Sequence, residues 1–337
     1  MSDPLRPAQD RCPDLTPGSN PDREPGPQAG RRRLLAAASL LPVAPVLPGC
    51  ATAVAPAPLP AVDVGRVERI AHMPSRHVAP RHVDVWLPPG YALGRPHAVL
   101  LMHDGQMLFD ASTTWNRQAW LVHQAAAPQI AQGRLRPFIV AGVWNTGPNR
   151  FAEYFPQGFL PHVAPGASRE ALLQRALQGR PMADDYLRFL VDELLPALDA
   201  RYDTVKGPGG RFIAGSSMGG LISLYALCEY PQVFGGAAAL STHWIGTFER
   251  NAEVPDAALA YLRQRLPPPG RHRLYMDRGT TELDALYDEA QARVDVLMRE
   301  KGFGPPAFVS RVFEGEGHNE RAWARRLALP LQHLLGA

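Results

Sequence analysis

The pentapeptide Gly215-Ser216-Ser217-Met218-Gly219 constrains this chain more than any other stretch of it. Residues 211–214 before it read as a short buried strand, and residues 221–227 after it as a helix packed at close range. A strand that turns into a helix through Gly-x-Ser-x-Gly holds its central residue in a strained backbone geometry. The positions two before and two after must then be small, and both are glycine here. The turn would expose the Ser217 hydroxyl at the end of a sheet, which makes Ser217 a candidate nucleophile. A serine hydroxyl is a weak nucleophile at neutral pH, so this reading requires a base further along and an acid to orient it.

The flanking sequence supplies the sheet. Apolar and polar residues alternate over 67–70 and 82–87, as in two antiparallel edge strands. Continuous apolar runs at 98–102 and 138–143 read as buried parallel strands, and further strands are expected at 211–214, 235–240, 273–276 and 307–312. Between them lie helical patterns at 120–131, 181–202, 282–301 and 320–335. Alternating strands and helices imply an α/β architecture, a mostly parallel central sheet with helices on both faces. The long irregular segments, 151–179 and 243–270, are where a substrate rim would sit.

Catalytic groups in such a sheet lie at the C-terminal ends of strands. Three histidines come late enough to serve as base. His272 opens a strand, at the wrong end, and His333 lies on the terminal helix. His318 follows the strand at 307–312 through Glu314-Gly315-Glu316-Gly317 and opens the last helix, where a base is needed. The acid should follow the strand at 273–276. Glu282, after the loop Arg278-Gly279-Thr280-Thr281, is the favoured residue and Asp277 the alternative; Asp284 and Asp288 read as solvated helical positions. The order Ser217, Glu282, His318 is that of the α/β-hydrolases. An oxyanion would need two N–H donors. Met218 supplies one, and the loop His103-Asp104-Gly105-Gln106 the other, with Gly105 allowing close approach and Gln106 donating. Arg150 and Tyr154, after the strand at 138–143, are candidate substrate contacts. Trp115, Trp120, Trp244 and Trp323 either line an aromatic cleft or fill the core. The remaining histidines lack metal-ligand spacing, so neither a metal nor a cofactor is expected.

Residues 103–110 (His-Asp-Gly-Gln-Met-Leu-Phe-Asp), 149–156 (Asn-Arg-Phe-Ala-Glu-Tyr-Phe-Pro), the elbow, 279–282 (Gly-Thr-Thr-Glu) and 317–323 (Gly-His-Asn-Glu-Arg-Ala-Trp) together resemble the putative esterase family of α/β-hydrolases. That family includes siderophore, feruloyl and other carbohydrate esterases, S-formylglutathione hydrolases and mycolyltransferases. The resemblance runs from about Val67 to the C-terminus. It implies an α/β-hydrolase fold, Ser217 and His318 as nucleophile and base, and an acid within residues 279–282, where this chain has glutamate and many relatives have aspartate. A serine esterase acting on small-molecule or glycan-linked esters is the expectation. An acyltransferase of the same fold, or a non-catalytic surface lipoprotein keeping the fold as a binding module, are the alternatives.

The first fifty residues differ in kind. Met1 to Gly30 is rich in proline, glycine and polar residues; Arg31-Arg32-Arg33 then precedes an apolar run from Leu34 to Leu47 and Pro48-Gly49-Cys50. This has the layout of an export signal, with a twin-arginine character and a lipobox-like end that would lipidate Cys50 and anchor the protein at a membrane. The expected organisation is a leader over 1–50, a linker over 51–64 and a catalytic domain over 65–337, in a periplasmic or membrane-anchored protein. Beyond Cys12 and Cys50 the domain holds a single cysteine, Cys228, so the fold rests on its core rather than on an internal disulfide. The formal charge of +3 comes almost wholly from dispersed arginines, with Lys206 and Lys301 the two lysines, which leaves no clustered footprint for nucleic acid. The sequence fixes no oligomeric state.

Overall fold

The computed structural model describes residues 57–337; the expected leader and Cys50 lie outside the described residues. Eight strands form one sheet: β1 (Arg66–Met73), β2 (Arg81–Leu87), β3 (Ala98–His103), β4 (Phe138–Val143), β5 (Arg211–Ser216), β6 (Gly236–Leu240), β7 (Arg273–Arg278) and β8 (Phe308–Val312). Their order is β1-β2-β4-β3-β5-β6-β7-β8. β2 is antiparallel to both neighbours, and every pairing from β4 to β8 is parallel. The central strands are buried along their whole length, which is why they read as unbroken apolar runs, whereas β1 at the edge is exposed or half-buried over all but its last residue.

Two apolar layers cover the sheet. One face carries the helix Met218–Glu229 and the run from Ala183 to Arg201, with Ile213, Ala237 and Ala239 pointing into it. The other carries Val122–Ala131 and Ala328–Leu335 against Phe212, Ala214, Ala238 and Leu240. Alternate residues of β5 and β6 thus face opposite layers, as the two-residue strand period demands. Cys228 is buried in the first layer.

Several boundaries differ from the sequence expectation. The domain begins upstream of residue 65. Ala57 O accepts from Arg69 at 2.5 Å, Ala61 N–H donates to Asp110 at 2.9 Å and Val64 O accepts from Trp86 at 2.9 Å, so this part of the expected linker is pinned to the domain. Within the segment expected to be irregular, Glu253–Arg265 forms a helix whose apolar side packs into the core. The expected helix at 282–301 is two elements, a 3-10 turn over Glu282–Leu286 and an α-helix over Asp288–Glu300. That break places Asp284 in the 3-10 turn rather than in the α-helix.

Candidate active site

Ser217 follows the last residue of β5 with φ 57° and ψ −123°. A non-glycine residue in this region costs on the order of 1–3 kcal/mol and must be held in place by its surroundings. The segment after β6 does so. Ser217 N–H donates to Leu240 O at 2.9 Å, and His243 N–H donates to Ser217 O at 3.2 Å. A Cβ on Gly215 would lie 2.8 Å from the Gly219 carbonyl carbon and oxygen, so the two glycines of the elbow are required by their mutual approach. Met218 opens the following helix, whose first N–H groups have no intrahelical acceptor.

His318 stands after β8, and its ring Nδ1 is 2.5 Å from Asp284 Oδ1. Asp284, which the sequence suggested was a solvated helical residue, is fully buried in the 3-10 turn after β7. Its second oxygen accepts from Gly279 N–H at 2.5 Å and Ser241 Oγ at 2.6 Å. Burial alone would raise the Asp284 pKa; the hydrogen bond and charge of His318, with Ser241 and Gly279, bring it below the ordinary aspartate value. The carboxylate is therefore held ionised against the imidazole.

The two carboxylates favoured from sequence do other work. Glu282, at φ 55°, turns the chain and accepts from the backbone N–H of His318 at 2.7 Å, with Asn319 Nδ2 at 3.3 Å. It clamps His318 by its main chain, and its carboxylate is not on the ring nitrogen. Asp277 is buried with both oxygens accepting from Arg326, at 2.9 and 3.1 Å. The physical reason is reach: the left-handed turn at Glu282 directs the chain so that the next acid, two residues on, points back under His318.

The loop after β3 carries the other expected groups. A Cβ on Gly105 would lie 2.3 Å from Gly142 O, so this glycine is demanded by packing on β4. Gln106 fixes its side chain by accepting Asn145 N–H at 3.2 Å. Arg150, expected as a substrate contact, is committed to Asp104 through Nε and Nη2, each at 2.7 Å, and Asn145 Nδ2 adds a third bond at 2.7 Å. Burial would raise Asp104, but Arg150 and Asn145 lower it. Tyr154, expected alongside Arg150, is fully buried, and its hydroxyl accepts Asp104 N–H at 3.3 Å. Both residues thus shape the loop that carries Gly105 and Gln106. Of the tryptophans, Trp323 packs edge-on to His318 at 5.2 Å with Trp120 behind it; Trp244 is core and Trp115 is 85% exposed.

Tyr287, His243 and Ser241 also converge here, and no sequence pattern marks them. The Tyr287 hydroxyl is 2.6 Å from His243 Nδ1 and faces the Ser217 side chain, while its ring meets that of His318 at 5.7 Å. His243 is pushed down to about 3 by burial, with the charges of His318 and Arg150 adding to it. His103, under the elbow, is likewise lowered to about 3 by burial, with Asp104 opposing and Arg150 reinforcing. Both rings are neutral in the folded protein and bind protons more readily once unfolded. Their contribution to stability is complete above the ordinary histidine value of 6.5 and is lost as pH falls from there toward 3. The slope for each is about 1.4 kcal/mol per pH unit. Thermal melts should show Tm falling steadily from pH 6.5 to 4, and His103→Gln should make that fall shallower. A Tm flat over this range would refute the assignment.

A sheet in this order, with a strained serine just after β5 and a carboxylate–histidine pair after β7 and β8, defines an α/β-hydrolase. The chain belongs to the family described as "Putative esterase", whose model matches residues 76–333, and it is a carboxylic ester hydrolase. It is similar to YbbA, an uncharacterized protein of Bacillus subtilis (strain 168), with 26% identity over 266 residues that cover 76% of this chain and 93% of that protein. Among solved structures, a ferulic acid esterase is similar with a TM-score of 0.59 and 17% identity, covering 81% of this chain and 98% of its own. The enterobactin esterase FES of Shigella flexneri is similar with a TM-score of 0.58 and 18% identity, over 82% of this chain and 60% of its own.

Proposed function

We propose that the protein cleaves esters by nucleophilic catalysis through Ser217, with His318 as base and Asp284, rather than Glu282, as the acid that orients it. The observation that carries this reading is the 2.5 Å contact of His318 Nδ1 with the buried Asp284 carboxylate, at the same end of the sheet as the strained Ser217. That contact fixes the tautomer with its proton on Nδ1 and leaves Nε2 with a lone pair for the Ser217 proton. Ser217 Oγ attacks the ester carbonyl carbon as His318 takes its proton. The oxyanion is held by the N–H groups of Met218 and Gln106, each worth on the order of 3 kcal/mol of barrier. Collapse expels the alcohol, which receives the proton from His318, and leaves an acyl group on Ser217. Water, deprotonated by the same imidazole, then releases the acid and restores the enzyme.

The acyl group is read as apolar and bulky. A cavity of ≈ 680 Å³ opens between the segments around Phe151 and Phe248, walled also by Pro148, Val163, Leu172 and Val254. Phe151 and Phe248 stand 6.2 Å apart, and each ring is 6.0 Å from His243, whose N–H is bonded to Ser217 O. Phe248 is 72% exposed, which suits a side chain that a ligand covers. The similarity to a ferulic acid esterase supports an aromatic acyl ester as the first class to try. The experiment is a panel of p-nitrophenyl and methyl esters running from acetate through octanoate to cinnamate. Aryl and medium-chain esters should have the lower KM. Phe248→Ala should raise KM for these about tenfold, the worth of one apolar contact, and leave acetate unchanged. Equal effects on acetate and cinnamate would remove the cavity from the reading.

A further inference from the structure

Ser241, the first residue after β6, has a hydrogen-bonding pattern that permits one arrangement. Its Oγ accepts from Trp323 Nε1 at 2.9 Å and from Arg326 Nη2 at 2.9 Å. Both of these groups are donors only, and a hydroxyl has two lone pairs and one proton. With both lone pairs occupied, the proton goes to Asp284 Oδ2, 2.6 Å away, an ionised carboxylate that can only accept. The backbone is committed as well: Ser241 has φ 44°, and its N–H donates to Asp277 O at 2.7 Å. Asp277 in turn fixes Arg326 through both carboxylate oxygens. A chain of full bonds therefore runs Asp277–Arg326–Ser241–Asp284–His318, buried over its first four members.

We propose that Ser241 is a positioning residue of the ester-cleaving site. Its hydroxyl, polarised by Arg326, fixes the Asp284 carboxylate and draws charge away from the oxygen that faces His318. The inference rests on the assignment of Ser217, His318 and Asp284 above. Arg326 touches Asp284 through no direct bond; its influence passes through one hydroxyl whose direction is forced. Donor bonds to a carboxylate that already serves as acceptor to a cation temper how strongly it holds that cation. Without the Ser241 proton, Asp284 holds the His318 imidazolium more tightly, and the base gives up its proton less readily. The other titratable or charged groups around the pair are Glu282 and Tyr287 on the β7 side, His243 after β6, and Glu320 at the start of the helix that follows His318. Arg150 acts from across the elbow, near enough to bear on His243.

The test is Ser241→Gly. Glycine accepts a φ of 44° without cost, so the variant deletes the hydroxyl and relieves rather than adds backbone strain. We expect kcat on p-nitrophenyl acetate to fall about tenfold with KM unchanged, as for loss of one hydrogen bond to a charged group. The acid limb of the kcat/KM profile should move to higher pH, and the far-downfield proton resonance of the His318–Asp284 hydrogen bond should move further downfield. Trp323→Phe, which keeps the Ser241 hydroxyl but frees one of its lone pairs, should give a smaller shift of the same sign. It carries the test if the glycine variant melts. An unmoved acid limb and an unmoved resonance in both variants would overturn the proposal even if kcat fell, since a residue that only fills space lowers rate without retuning the base. Full activity in Ser217→Ala and His318→Ala would instead remove the underlying assignment.

Discussion

Ser217→Ala should lower kcat/KM for any cleaved ester by roughly 10⁴ to 10⁶ while leaving the melting temperature within a few degrees of the parent. The loss is that large because no neighbouring group can replace the attacking oxygen. Tyr287 faces the Ser217 side chain, but its hydroxyl is engaged with His243 and burial pushes its pKa up, so it stays a phenol rather than a nucleophile. The residual rate belongs to the oxyanion donors and to binding, which the variant keeps. His318→Ala should cost a comparable factor, and the two losses should not add, because the serine and histidine act as one unit. A fluorophosphonate probe should label the parent at Ser217 and neither variant. Full ester cleavage by Ser217→Ala would end the proposed mechanism.

Asp284 and Glu282 bond His318 directly and Asp277 reaches it only through Arg326, Ser241 and Asp284, and amide substitutions should separate the three. Asp284→Asn places an amide donor or a weaker acceptor under Nδ1 and favours the wrong tautomer, so kcat should drop by roughly 10⁴ with little change in fold. Glu282→Gln keeps a carbonyl oxygen for the His318 backbone N–H and should cost less than about tenfold. Asp277→Asn leaves the Arg326 guanidinium buried without its counter-charge. Its effect should be on stability, about 3 kcal/mol in a urea melt, more than on rate. Rates and melts on the three variants thus give three different patterns. If Glu282→Gln showed the large loss in kcat, with Asp284→Asn near the parent, the roles would have to be exchanged.

The fold was legible because its signals are strong where burial is complete. β3, β4 and β6 are buried at every position, and their sequences carry no polar residue before the terminal histidine of β3. The elbow was legible for steric reasons, since the close approach of Gly215 to Gly219 leaves no choice of residue. The carboxylate that meets the His318 ring was not legible at the residue level. Two acids two positions apart, followed by a strongly periodic helix, read as the first turn of that helix. What separates them is one left-handed residue, Glu282, and glutamate carries no preference that would announce it. Ser241, His243 and Tyr287 were invisible for a related reason. A polar side chain's partner depends on which strand ends are neighbours, and that is a property of the sheet order. Arg150, expected to meet a substrate, is also paired with Asp104, a partner that no local pattern announces.

The sheet order has a further consequence, for the time course of folding. Ser217 follows β5, Asp284 follows β7 and His318 follows β8, so the three meet only after the last strand has paired at the edge. Ser217 and His318 are separated by about a hundred residues, and contacts of that separation form late because loop closure must precede them. The earlier strands can pair, and the elbow can form, while the molecule remains inert. Enzymatic activity recovered during refolding is accordingly a clock for the docking of β8 and the helices after it, and it should lag the recovery of secondary structure.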